Sequence, residues 1–469
     1  MQRKTAHRSA FTLIEMVVSV AIIAILAIAA LITLNPSEYL RQSRDSRRVN
    51  DIASLNTAIA FYQSVSGGGS LGAARTIYLS LVDPAATSSA GTDCSGLGFP
   101  PGIFHCAGSS YARLIDGTGW LPINFSGLSS SPIETLPVDP TNKASTGYYA
   151  YVTDGTNWKV SAFPESVKFS QASAASFEVG PAPGFPGYWI PVNGNSTFGT
   201  SNFWVMKYEA RCALNGAVQS TPLNAPYNTF NNGSQACNGG GFNPVSDPSG
   251  PPIGNVSHAQ AVTYCQAIGA HLLTNDEYMT IAGSAAGTKD NWTGGDIGSG
   301  KLYVGHADGT NFELAATADD TQGFFAETSP ASDQRRTFTL ANGSIIWDIA
   351  GNSEEAVQRS KGNAGDAQTV ILTPSCSSGA GWQACEFSSL SPFVSSWTTD
   401  IPQSTYGPSV STWNSTQNAG KITTWAAGGS QGTTAVSRGG STSGAGLFSS
   451  DLNVTVGGAY PYVGFRCAR

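Results

Sequence analysis

FTLIEMVVSVAIIAILAIAALITL, from Phe11 to Leu34, holds one charged residue, Glu15, in 24 positions. As a helix rising about 1.5 Å per residue it spans ~36 Å, enough for a hydrocarbon core of ~30 Å. The preceding decapeptide, MQRKTAHRSA, is basic, which holds that end in the cytoplasm and sends the body across the membrane. A secretory signal has a shorter apolar core with the small-residue cleavage site after it. Here the small residue, Ala10, comes first, so cleavage before Phe11 would remove the leader and keep the helix. A carboxylate inside such a helix is costly unless partnered, which marks Glu15 as a functional residue.

Outward from this run, Asn35-Pro36 leads into SEYLRQSRDSRRVNDIASLNTAIAFYQ. Ser37 suits an N-cap, and Leu40, Val49, Ile52, Leu55, Ile59 and Tyr62 recur at helical spacing. Arg41, Arg44, Arg47 and Arg48 are expected on a solvated or membrane-facing side. The Gly-rich stretch at 66–70 ends the helix.

The short basic leader, Ala10, then Phe11 to Glu15 and a long apolar helix resemble a type IV prepilin or pseudopilin. The resemblance implies that a prepilin peptidase cuts between Ala10 and Phe11 and methylates the new amine. It also implies that Glu15 pairs with the N-terminus of a neighbouring pilin subunit in a filament. The family usually carries Gly before the cut, where this chain has Ala10.

The remaining composition fits an exported body. Of 469 residues only 12% are charged, against ~25% in typical soluble domains, while Gly and Pro are abundant. Residues 1–50 carry a net +4, leaving −11 for the rest of a chain whose total is −7. An acidic body excludes a nucleic-acid partner bound through a basic face. Eight Cys, all after residue 66, suggest disulfides in an oxidising compartment.

Residues 67–178 alternate short β-prone runs (TIYLSLV, TGYYAYVTDG, NWKVSAF) with turn signals. Leu136 to Ser166 resembles the sheet of pseudopilin heads, which implies a small antiparallel sheet packed on the helix. Cys94 and Cys106 read as a local disulfide around a Gly/Pro-rich loop. No cofactor is called for; Asp139 and Asp154 are the candidates for a calcium site, against their ordinary roles in turns.

GPAPGFPG at 180–187 marks a boundary. Beyond it, Ser257-x-x-Gln260 and Thr274-x-x-Glu277 fit capping boxes that open two helices; the rest reads as short strands and loops, an α+β domain. FWVMKYEA (203–210), AVTYCQAIGAHLLTNDEYMTIA (261–282), IWDIAGNSEEAV (346–357), SRGGS (437–441) and VGFRCAR (463–469) occur in that order. Together they resemble the formylglycine-generating-enzyme version of the C-type lectin fold. The resemblance implies a Cys265–Cys467 bridge, with Cys212–Cys237 and Cys376–Cys385 as local bridges.

The family's oxidase carries a cysteine pair after the RGGS-like block, but Thr442 to Val463 contains no Cys, and no enzymatic activity is expected. GNSEEAV also departs from the family's GN-x-WEW pattern by lacking its two aromatics. RGGSTSGAGLFSSDLNVTVGGAYPYVGFRCAR, from Arg438, is most similar to the variable proteins of diversity-generating retroelements. That likeness implies a fixed scaffold, here Arg438, Gly439, Gly440, Gly464 and Phe465. It places the ligand-binding set at Ser441, Thr442, Ser443, Ser449, Asp451, Asn453, Thr455, Tyr460 and Tyr462, with Trp413 and Trp425 as further anchors. Tyr, Ser and Asn suit such a surface, combining rigid aromatic area with adaptable hydrogen bonds.

The expected architecture is therefore α+β: a leader (1–10), an assembly helix (11–66), a pseudopilin-like head (67–178), a linker (179–187) and a C-type-lectin-like domain (188–469). The expected function is cell-surface, pilin-anchored binding of a protein or glycan. The alternatives are a formylglycine-generating-type oxidase and a structural minor pilin without a specific ligand.

Overall fold

A mostly apolar run, interrupted by Glu15, Ser19 and Thr33, makes helix α1 (Leu13–Leu34), 22 residues and ~33 Å long. The computed structural model describes residues 12–34, 36–74, 76–99, 103–144, 147–170, 177–181, 188–214, 237, 242–248, 252–307, 333–358, 381–389, 406–410, 412–426, 435–440, 445–452 and 454–469. Side chains of α1 are described as far as Ala24, and there Leu13, Ile14, Met16, Val17 and Val20 are all more than half exposed. Among the described residues no helix is long and apolar enough to cross a membrane. Helix α2 (Pro36–Ser66) starts one residue before the expected Ser37 cap, because the fixed φ of proline suits the first helical position. It ends where Gly67 and Gly68 turn left-handed, φ 61° and 103°.

The inner face of α2 buries Ile52, Leu55, Ala58, Ile59 and Tyr62 against Trp120, Tyr149 and Tyr151 of the first lobe. That lobe consists of β1 (Ile77–Val82), β2 (Phe104–Ala107), β3 (Ala150–Thr153), β4 (Trp158–Ser161), the short helix α3 (Val167–Ser170) and β5 (Glu178–Val179). Its five strands run in the order β2-β1-β3-β4-β5. The expected all-antiparallel sheet is corrected at one edge, where β1 and β2 pair parallel, Ile77 opposite Phe104. A parallel neighbour needs a long crossover. Residues 83–103 supply it, and the Cys94–Cys106 disulfide ties it to β2.

The arginine cluster of α2 is corrected at two of its four positions: Arg41 and Arg47 are exposed as expected, but Arg44 and Arg48 are not. Arg48 is fully buried, donating from Nε and Nη2 to Asp139 (2.6 and 2.9 Å) and from Nη1 to Asp45 (2.7 Å) and Glu165 (2.8 Å). Arg44 grips Glu165 with two bonds of 2.8 Å. These arginines clamp the helix to the lobe instead of facing solvent. Asp139, considered for calcium, also accepts from Thr141 N and Oγ1, and Asp154 accepts from Thr156 N and Asn157 N. Burial alone would raise the Asp139 carboxyl, but Arg48 holds it below its ordinary value.

The second lobe holds β6 (Trp189–Val192), β7 (Phe203–Met206), β8 (Ala210–Leu214), β9 (Phe242–Ser246) and β10 (Val256–Ser257), then helix α4 (His258–Ala267). After β11 (His271–Leu272) comes helix α5 (Asn275–Ala286), then β12 (Thr337–Thr339), β13 (Ile345–Trp347), β14 (Glu354–Val357) and β15 (Gly381–Cys385). The chain continues through β16 (Ile422–Ala426), β17 (Val436–Arg438), β18 (Ser450–Asp451), β19 (Ala459–Tyr460), β20 (Val463–Phe465) and β21 (Cys467–Ala468). Both capping boxes form: Ser257 with Gln260 opens α4, and Thr274 with Glu277 opens α5. Sheet β11-β21-β7-β6 joins the start of the lobe to its last strand. The Cys265–Cys467 disulfide fixes α4 to that strand, with Cα atoms 5.4 Å apart. Cys212–Cys237 is formed; Cys385 is disulfide-bonded, while Cys376 lies outside the described residues.

One apolar core runs through both lobes. Phe104 and Phe163 of the first meet Trp204 of the second edge-on, at ring distances of 5.7 and 6.4 Å. Tyr148 Oη accepts from Trp204 Nε1 at 2.5 Å, and Glu178 accepts from Ser344 Oγ at 3.0 Å. The lobes are therefore coupled by packing as well as by the chain between them.

Candidate functional site

Two regions carry the candidate residues. At the N-terminus, Ala10 and Phe11 lie outside the described residues. Thr12 donates from N (2.8 Å) and Oγ1 (2.9 Å) to Oε2 of Glu15, whose side chain is exposed. The carboxylate thus caps its own helix while remaining open to an external cation.

The second region is the six-stranded sheet, ordered β15-β16-β18-β17-β14-β20. Strand alternation sends Arg438 inward from β17 and Glu355 inward from β14, in register with each other. Arg438 donates to Asn275 Oδ1 (3.0 Å), Tyr406 O (2.8 Å) and Phe448 O (3.2 Å), and lies over the Tyr278 and Tyr406 rings. Arg466 reaches Glu355 (2.5 Å), Lys207 O (2.8 Å) and Trp347 O. Gly439 and Gly440 turn left-handed, φ 84° and 68°, a conformation that resists side chains. Gly464 is buried, where a Cβ would stand 3.3 Å from Ile253 O, and Phe465 is buried against Tyr264. All five residues expected as scaffold therefore sit in the interior or in its tight turns.

On the other face of the strands, Ser437 stands opposite Asp451, and Asp451 opposite Thr423. Glu354 is partly exposed at the start of β14 and accepts from Ser437 Oγ at 2.6 Å. Tyr462 lies beside it, its carbonyl accepting from Glu354 N at 2.8 Å. The Tyr460 and Tyr462 rings are 5.7 Å apart and tilted by 41°. Tyr460 Oη is 3.3 Å from Thr455 Oγ1, so the exposed turn at 455–459 is tied to the ring. Burial, followed by the Asp451 charge, pushes Glu354 up to about 8. Burial raises Tyr462 to about 12, with Glu354, Asp451 and Tyr460 adding to the shift. Two rings and two carboxyl groups thus share one partly desolvated patch.

Asp451, Thr455, Tyr460 and Tyr462 are brought together here. Ser449 is not: it is 5% exposed, packed beneath Gly420, and the expectation that it contacts ligand is corrected. Trp413 is partly buried, edge-on to Trp292 at 4.9 Å. Trp425 stands on β16 opposite Trp382 in register. Ser441, Thr442, Ser443 and Asn453 lie outside the described residues. Glu354 joins the patch without having been anticipated, held from beneath by the fully buried Ser437. The period-two alternation of SEEAV, which turns Glu354 out as Glu355 turns in, is the signal that marks Glu354.

Residues 5–31 match the family model of the prokaryotic N-terminal methylation motif. The match establishes a type IV pilin-like N-terminus. It implies prepilin-peptidase processing, assembly with pilin subunits and a membrane-anchored, surface-exposed pilus protein. No curated protein matches the chain.

Proposed function

We propose that the chain is a ligand-binding, adhesin-like subunit displayed by its pilin-type helix. Its second lobe is read as a C-type-lectin-like scaffold similar to the variable proteins of diversity-generating retroelements, with no catalytic role. The observation that carries this reading is the patch of Tyr460, Tyr462, Asp451 and Glu354 above a layer locked by buried Arg438 and Arg466. Rigid backing beneath clustered aromatic and acidic side chains is what a binding surface needs, because little order is lost on contact. The ligand class is a protein or glycan on another surface.

The test is made on whole cells. Tyr460→Ala/Tyr462→Ala is expected to leave filaments intact and abolish attachment to surfaces that the unaltered strain binds. Attachment equal to that of the unaltered strain refutes the assignment. Diversification has its own test in the neighbouring DNA: a reverse transcriptase and a near-copy of the last codons, differing at adenines, support it, and their absence contradicts it.

A further inference from the structure

The seam between the lobes holds a partly open cavity of about 340 Å³. Phe99 and Tyr148 come from the first lobe, Phe198 and Phe203 from the start of the second, Asp276 from the first turn of α5, and Arg469 from the residue after β21. The volume is near the lower end of the ~300–1,000 Å³ usual for small-molecule sites, a size that suits a small molecule and not a folded partner.

Its charged walls are unusual. Among the described residues neither Asp276 nor Arg469 forms an ion pair, with each other or with a third group. Neighbouring Glu277 is already engaged, by His271 at 2.9 Å and Thr274 N at 2.9 Å. Arg469 is held on one side only, donating from Nη2 to Leu97 O at 3.0 Å with its guanidinium 4.9 Å from the Phe99 ring centre. Burial and the Glu277 charge raise the Asp276 carboxyl, and burial lowers the Arg469 guanidinium. Arg469 therefore forgoes water without gaining a counter-ion, and Asp276, hydrogen-bonded to Asn275, feels the Arg438 charge only at a distance, with no direct ion pair.

Opposite charges left unpaired in one small cavity are matched by a molecule that carries both. A plain anion meets repulsion from Asp276 and Glu277, and a plain cation meets Arg469. We propose that this cavity binds a small zwitterion of the amino-acid class, its ammonium group on Asp276, its carboxylate on Arg469 and its side chain against the aromatic wall. The site shares no residue with the C-terminal patch and does not rest on the reading given for it. Because it joins the lobes, occupancy also favours their docked arrangement.

Calorimetry on the full-length chain in detergent micelles tests this, using the twenty common amino acids as probes. At least one binds, and its N-acetyl and methyl-ester derivatives, each lacking one charge, bind about tenfold more weakly or worse. Asp276→Asn removes the preference for the free amine, and Arg469→Gln removes that for the free carboxylate. Tyr460→Ala/Tyr462→Ala leaves both preferences unchanged. Melting curves confirm that each variant is folded, and the derivatives test the unaltered protein should a variant not fold. The proposal is overturned if no amino acid binds at about 10 mM, a level that detects even millimolar affinity. It is equally overturned if the capped derivatives bind as well as the parent.

Discussion

Replacing Arg48 with Met takes the one fully buried cation from among Asp45, Asp139 and Glu165, all within 2.9 Å of its guanidinium. Met keeps most of the volume and removes four charged hydrogen bonds. Breaking one partner out of a buried ion pair costs about 3–5 kcal/mol, because the remaining charge stays desolvated. The loss falls on the contact between α2 and its lobe. The assay is hydrogen exchange of the amides at 52–62, on the helical turns that pack against Trp120 and Tyr149. Exchange there is expected to accelerate by roughly 100- to 1,000-fold or more, each tenfold corresponding to about 1.4 kcal/mol.

The sign of the acid response changes too. With Arg48 in place, Asp139 and Glu165 titrate below their ordinary values, so their contribution is present at neutral pH and lost as pH falls through those depressed values. Without the guanidinium, burial dominates and raises the Asp139 carboxyl, so acidification relieves a buried charge. Stability of the Arg48→Met protein is therefore expected to rise as pH falls from 7 toward about 5, a range above the ordinary carboxyl values near 4. Arg48→Met/Asp139→Leu recovers part of the loss. A change in exchange smaller than about fivefold, near 1 kcal/mol, refutes the buried clamp.

Three further outcomes are expected. Reducing Cys265–Cys467, which closes a separation of 202 residues, costs about 5 kcal/mol in the chain-entropy account; a Cys265→Ser/Cys467→Ser protein that melts like the parent contradicts the pairing. Trp204→Ala loses about 3–5 kcal/mol of core packing along with the Tyr148 bond, and limited proteolysis should then cut both lobes together; an unaffected first lobe contradicts the shared core. Glu354 has a folded value near 8, above its ordinary one, so the native state holds the extra proton between about 4.5 and 8 and stability falls as pH rises through that window. Glu354→Gln is accordingly expected to raise the melting temperature at pH 9 and leave it unchanged at pH 4, and equal melting at both values contradicts the raised carboxyl.

Local chemistry was legible in the sequence; long-range partnership was not. The Ser257 and Thr274 boxes and the Gly67–Gly68 stop are decided within four residues, and each forms as the pattern predicts. Arg48 looked solvated because its partners Asp139 and Glu165 lie 91 and 117 residues away. The parallel β1–β2 pair depends on a crossover whose direction no local pattern encodes. Within the candidate site, Tyr460 and Tyr462 are visible as aromatic residues between turns, whereas the burial of Ser449 follows from the close approach of Gly420, far away in the chain. The shared core around Trp204 also means that a fragment beginning at residue 188 would expose rings that the first lobe covers, so point substitutions are the better probes.

The central claim is that the patch around Tyr460 and Tyr462 binds a ligand from the surface of another cell or particle. Its most direct test is the affinity of the full-length protein, in detergent, for glycan and surface-protein arrays, measured with and without Tyr460→Ala/Tyr462→Ala. Aromatic anchors at the centre of an interface are worth about 2 kcal/mol or more each, so the pair should account for at least a hundredfold in Kd. Binding of a defined array component that weakens by that factor, with the melting temperature unchanged, is the result predicted; the same component bound equally by both proteins contradicts it.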